Sequence, residues 1–133
     1  MVLPNHVQST GLVFNRIWAA IKRETLAVLE EGVCKPADVD ELFRDFFHAE
    51  KGPCEKMDEI GLDTIHKVEA HYLEQKPELH SENQLEWLRK QYMDKGNLGE
   101  KSGNGLFSAE ERTELAARRA REKRKIVEES RGA

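Results

Sequence analysis

The chain has 133 residues, 35% of them charged, with 21 Lys and Arg against 25 Asp and Glu and a formal net charge of −4. A chain of this length makes one domain with tails and buries about 65–70% of the surface its unfolded state exposes, and its mild acidity gives no general pull toward nucleic acid or anionic membrane. Cys34 and Cys54 are too few for a disulfide framework and stand in no zinc-type spacing, and no apolar run approaches the roughly 20 residues of a membrane span.

Both cysteines are therefore read as reduced thiols, and the chain is expected to be intracellular, in the cytoplasm. Residues 1–23 lack Asp and Glu and carry Arg16, Lys22 and Arg23, a trait shared with mitochondrial transit peptides. A structural use for that segment is the better reading.

Residues 1–9 lack periodicity, and Pro4 biases its predecessor away from helix. From Thr10, a fair N-cap, positions 13, 14, 17, 18, 21, 25, 28 and 29 follow the three-four spacing of one helix face, closed by Gly32 as a C′ residue. Pro36 opens a second helix with Asp38 and Asp40 against its N-terminal dipole, Lys35 as a poor cap, and a face of Val39, Leu42, Phe43, Phe46 and Phe47. Gly52-Pro53 separates it from a third segment, in which Met57, Ile60, Ile65, Val68 and Tyr72 recur at helical spacing around a break or bend at Gly61. Ser81 and Gln84 have the spacing of a capping box for a further helix carrying Leu85, Leu88 and Tyr92, with Trp87 beside them. A loop with Gly96, Gly99, Gly103 and Gly105 runs into Leu106-Phe107, and Ser108 with Glu111 caps a last, polar helix. Strand-like alternation is missing, so the fold class is all-α.

The glycine loop invites a phosphate-binding reading, but "GEKSGNG" lacks the gap and the Gly-Lys-Ser/Thr ending of a P-loop, and a structural turn anchored by Phe107 is favoured. His66, Glu69 and His71 suggest a metal, yet histidines five residues apart lie on different helix faces; no metal is expected. The run "RRAREKRK" looks basic, but residues 108–133 hold eight Lys/Arg against six Asp/Glu, which points to a solvated helix with pairs Glu114–Arg118 and Arg118–Glu122 rather than a nucleic-acid patch.

One feature of the first helix resists a purely structural reading. Asn15 and Arg16 interrupt the apolar residues Val13, Phe14, Ile17 and Trp18. Together with "PADVDELF", "GPCEKMDEIGLD" and "GNLGEKSGNGLF", in that order, the stretch "STGLVFNRIWAAIKRETLAVLEEGV" resembles the C-terminal domain of the L-3-hydroxyacyl-CoA dehydrogenase family over residues 7–107. The last helix lies outside the resemblance. It implies a helical domain of the 6-phosphogluconate dehydrogenase C-terminal-like type over residues 10–107, preceded by the end of an interdomain linker in residues 1–9 and followed by an extra polar helical extension in residues 108–133.

The resemblance also implies roles. Family enzymes join an NAD-binding Rossmann domain, which supplies a catalytic His–Glu pair, to a helical domain that forms the dimer and walls the acyl-CoA site. Asn15 matches the family asparagine that orients the catalytic histidine and the reacting oxygen, a task suited to an amide that donates and accepts without titrating near neutrality. Arg16 is expected to be held by a nearby carboxylate or carbonyl. The 133 residues carry no strand, G-x-G-x-x-G and helix in sequence, and neither His6 nor His48 stands where the catalytic histidine would. NAD is thus expected only in a partner Rossmann-domain chain, the assembly is expected to be a homodimer or a complex with such a separate chain, acyl-CoA is the candidate ligand, and the chain alone is expected to be inactive. A non-enzymatic relative that keeps the helical scaffold for binding is the alternative.

Overall fold

In the computed structural model, which describes residues 13–132, the first helix ends where the sequence dictates. Gly32 adopts φ +72°, Val33 N–H donates to the Val28 carbonyl and Gly32 N–H to the Leu29 carbonyl, the paired bonds of a Schellman motif. The expected linker remnant at residues 1–9 and the Thr10 cap lie outside the described residues. Six helices follow one another: α1 (Val13–Glu30), α2 (Pro36–Phe47), α3 (Pro53–Ile60), α4 (Leu62–Gln75), α5 (Glu82–Gln91) and α6 (Ala109–Arg131), with short 3₁₀ turns around α5. The described residues contain no strand, and none of their helices is long and apolar enough to cross a membrane.

Helix α1 packs on α3 and α5, α2 on α3, and α4 on α5. Their shared core is Leu26, Leu29, Cys54, Met57, Leu62, Ile65 and Leu88, closed by Leu106 and Phe107 from the glycine loop. Each large side chain fully removed from water there contributes about 1.5–3 kcal/mol of transfer free energy. The expected break at Gly61 is sharp: its φ of +107° ends α3, and Leu62 N–H leaves the helix ladder to donate to the Leu98 carbonyl at 2.8 Å.

Three local expectations are corrected. The buried face of α1 is Ala19, Lys22, Thr25, Leu26 and Leu29, whereas Val13, Phe14 and Ile17 face solvent. Counting apolar residues alone hid this, because small Ala19 and the aliphatic stem of Lys22 do the packing that larger side chains were assigned. On α2 only Val39 of the expected face is packed against the core, while Leu42, Phe46 and Phe47 are exposed. Finally, Ser81 makes no side-chain cap to α5; its hydroxyl is buried without a partner.

Two carboxylates hold the helices in register by capping backbone outside their own helix. Asp40 does not serve the dipole of α2. It accepts from Cys54 N–H at 2.8 Å and Glu55 N–H at 2.9 Å, capping α3 in place of Gly52, whose own N-cap position has no side chain to offer. A Cβ at Gly52 would overlap Asp40, which is why glycine precedes Pro53. Asp38 accepts from Lys35 N–H at 3.1 Å and so makes good the poor cap at Lys35.

Asp58 plays the same part for the glycine loop. Its carboxylate accepts from Leu106 N–H at 2.8 Å and Phe107 N–H at 2.9 Å, with the Arg112 guanidinium 3.6 Å away. The loop does cradle an anion, and the anion is the chain's own. Gly99 lies at φ +105° with its missing Cβ directed into the Asp58 carbonyl, so Gly99→Ala is expected to lower stability by about 2 kcal/mol, seen as a lower urea midpoint. An unchanged midpoint would contradict this geometry.

The α6 capping box forms as expected: Glu111 N–H donates to the Ser108 hydroxyl at 3.1 Å and Ser108 N–H to the Glu111 carboxylate at 3.0 Å. Helix α6 has no buried residue, but Leu115 packs on the core and Arg119–Glu55 (2.6 Å) and Lys123–Glu50 (2.9 Å) tie it to the α2–α3 region. The Arg118–Glu122 pair is present at 3.5 Å, whereas Glu114 pairs with Arg121 instead of Arg118.

Candidate functional site

A helix of 3.6 residues per turn returns to nearly the same face after seven residues, so α1 presents two adjacent stripes. Asn15, Trp18 and Lys22 form one; Arg16, Ala20 and Arg23 form the other. Tyr72 of α4 lies between them and lines a groove on each side.

The first groove, about 390 Å³, is lined by Asn15, Trp18 and Lys22 from α1, by Ile60 at the end of α3, and by Val68, His71 and Tyr72 of α4. Ile60 and Val68, read from sequence as core, are half-exposed walls of this groove. Asn15 is exposed at its α1 end, on a helix start where Val13, Phe14 and Ile17 are also exposed.

Charged side chains pack between α1 and α4 beside the groove. The Arg23 guanidinium grips the Glu69 carboxylate with two nitrogens, Nε to Oε1 at 2.5 Å and Nη2 to Oε2 at 3.1 Å, and lies 5.9 Å from the Tyr72 ring centre. The buried Lys22 ammonium stands 5.5 Å from the Trp18 ring centre. Burial pushes its pKa below the usual lysine range, the Glu69 charge pulls it back up, and Arg23 adds to the depression. A lysine in such a place keeps a donor ready for a carbonyl or an anion while its stem completes the apolar wall.

Sequence reasoning singled out Asn15 and passed over Lys22, which lines the same groove and whose spacing of seven from Asn15 was the available signal. It also grouped His66, Glu69 and His71. Only His71 lines the groove; Glu69 is spent on Arg23, and His66 has its pKa lowered by burial and by Arg89. The described residues bring together no set of three His, Cys, Asp or Glu able to hold a metal. Buried Cys54 is no nucleophile, because burial and the adjacent Asp40 push its thiol far above the usual range.

Residues 11–109 match the family model of the 3-hydroxyacyl-CoA dehydrogenase C-terminal domain. The chain belongs to this family. A 3-hydroxyacyl-CoA dehydrogenase-like protein of Cochliobolus heterostrophus is 36% identical over 101 residues, which are 75% of this chain and 21% of that protein. A probable 3-hydroxybutyryl-CoA dehydrogenase of Bacillus subtilis is 35% identical over 109 residues, 77% of this chain and 35% of that protein. Among solved structures, a diketoreductase superposes with TM-score 0.66 at 26% identity, covering 78% of this chain and 35% of that one. The (S)-3-hydroxybutyryl-CoA dehydrogenase of Ralstonia eutropha gives TM-score 0.61 at 29% identity, with 76% and 35% covered. The chain thus spans between about a fifth and a third of the curated relatives it matches.

Within this 3-hydroxyacyl-CoA dehydrogenase C-terminal domain the described residues do not fit a dinucleotide. They contain no strand to lead into a glycine turn, and the amides of Leu106 and Phe107 at the end of the glycine loop are directed at Asp58.

Proposed function

We propose that the chain is the dimerising, acyl-substrate-wall half of an NAD-linked 3-hydroxyacyl-CoA dehydrogenase, in fatty-acid or related acyl metabolism, and that it forms product only when a Rossmann-domain chain supplies the nucleotide and a His–Glu pair. The observation that carries this reading is the exposed apolar start of α1 with Asn15 set in it, at the end of a groove with apolar walls. An amide surrounded by solvent-facing Val13, Phe14 and Ile17 serves no packing purpose within the described chain, and makes sense where another surface covers it. Asn15 would then hold the reacting oxygen and the catalytic imidazole in line. The exposed Leu42, Phe46 and Phe47 of α2 support self-association in the same way.

The test mixes the chain with the separately produced NAD-binding half of a relative and follows NADH formation from a 3-hydroxyacyl-CoA. Neither half alone is expected to produce NADH, and the mixture is expected to do so. Asn15→Ala should lower kcat of the mixture about 10–100-fold while leaving the urea midpoint of the chain unchanged, since the residue is exposed. Activity indifferent to Asn15→Ala, or NADH from the chain alone, would sink the reading. An inactive dimer that no Rossmann half activates would favour the scaffold alternative.

A further inference from the structure

One amine on the Asn15 groove stands without an acceptor. Lys22 follows Asn15 by about 10 Å along α1 and lines the same groove, yet the residue is only 8% exposed. Its ammonium lies beside the Trp18 ring, 5.5 Å from the ring centre, and makes no hydrogen bond or ion pair among the described residues. Glu69 is the carboxylate whose charge reaches it, and both Glu69 oxygens are engaged by Arg23. The other titratable side chains lining the groove, His71 and Tyr72, come from α4, and neither pairs with it.

Such surroundings suit the neutral amine better than the ammonium. Burial takes the charge out of water, the Glu69 carboxylate restores part of the loss from a distance, and the Arg23 charge works against it again. Lysines become nucleophiles near neutral pH in this setting, desolvated against apolar groups and next to a second cation. The groove, about 390 Å³, has the room of a small-molecule site, and Trp18, Ile60, Val68 and Tyr72 give it apolar and aromatic walls.

We infer that Lys22 captures a carbonyl compound with an apolar body, a ketone or an aldehyde, as a protonated imine in this groove. The amine nitrogen adds to the carbonyl carbon, and its proton passes to the oxygen to give a carbinolamine. The hydroxyl then takes one further proton and leaves as water while the nitrogen lone pair closes the C=N bond. Carbonyl compound and ammonium enter, protonated imine and one water result, and nothing is oxidised or reduced. The step needs neither a nucleotide nor a second chain, so it stands independently of the dehydrogenase reading above.

The experiment treats the folded chain with benzylacetone and cyanoborohydride, which reduces the imine to a stable secondary amine, and locates the adduct by peptide mass mapping. Lys22 is expected to be labelled about tenfold faster than Lys67 and Lys95, which are exposed elsewhere, and to lose that advantage in urea. Val68→Trp fills the groove from its α4 wall and should slow the labelling of Lys22 while the urea midpoint is kept. Should that variant fail to fold, Ile60→Phe makes the same test from the end of α3. Equal labelling of the three lysines overturns the inference. So does an advantage that survives in urea, because it would then come from the local sequence. A folded groove-filling variant that labels as fast as the wild type overturns the site as well.

Discussion

Replacing Glu69 by alanine is expected to lower the unfolding free energy by about 3–5 kcal/mol, among the largest losses available to a single substitution in this chain. Arg23 and Glu69 meet on facing sides of α1 and α4, with side chains 14% and 5% exposed, so removing either leaves the other largely shielded from water. Glu69 is also the charge that draws the Lys22 pKa back up against burial. Its loss strands two cations, Arg23 beside the Tyr72 ring and Lys22 beside the Trp18 ring. The Arg23→Met/Glu69→Leu double variant is the informative control, because replacing a whole buried pair by apolar groups of similar volume is often neutral or stabilising. Urea denaturation of the single and double variants gives the coupling. Equal losses for both would show that the position matters for shape alone, and would remove the charge argument.

The same pair shows how far sequence carries. The order of helices, the break at Gly61, the closure at Gly32 and the α6 cap were legible because each rests on local signals: a period, a glycine with positive φ, a hydroxyl three residues before a glutamate. The resemblance singled out Asn15, because it stands where the family has its asparagine in the phenylalanine-asparagine-arginine sequence of the first helix. What sequence could not give were contacts between distant positions. Arg23 and Glu69 are 46 residues apart, Asp58 and Leu106 48, and nothing in either stretch announces its partner. Ile60 and Val68 were assigned to the core because apolar residues at helical spacing usually belong there; in this fold they wall a groove. Ser81 had the right neighbours for a cap and still does not make one, because its φ of −95° and ψ of 16° depart from the extended backbone usual at that position.

Asp58→Asn is the second large effect, expected at about 3–5 kcal/mol with the fold otherwise intact. The substitution keeps the volume of the side chain and changes only its bonding. Each carboxylate oxygen accepts one loop amide, Leu106 on Oδ1 and Phe107 on Oδ2, so an asparagine amide must turn its own donor toward one of them. Arg112, which also donates to the carbonyls of Gly103 and Phe107, loses its anionic neighbour as well. Gly105 offers no escape, because the side chain it lacks would occupy the place of the carboxylate. Hydrogen exchange at Leu106 and Phe107 should therefore speed up more than exchange in α1, whose ladder does not depend on Asp58. Burial raises the Asp58 pKa above its usual 3.8, against the opposing pull of Phe107, Leu106 and Arg112. The sign of its pH dependence follows: the folded state takes up this proton before the unfolded one does. The contribution is fully present below 3.8 and is lost as pH rises through the raised folded value, and Asp40 behaves alike because burial raises it too. Between those limits the wild-type chain should lose stability from this residue as pH rises, and the Asp58→Asn chain should lack that slope. A variant that keeps the slope would place the titration elsewhere.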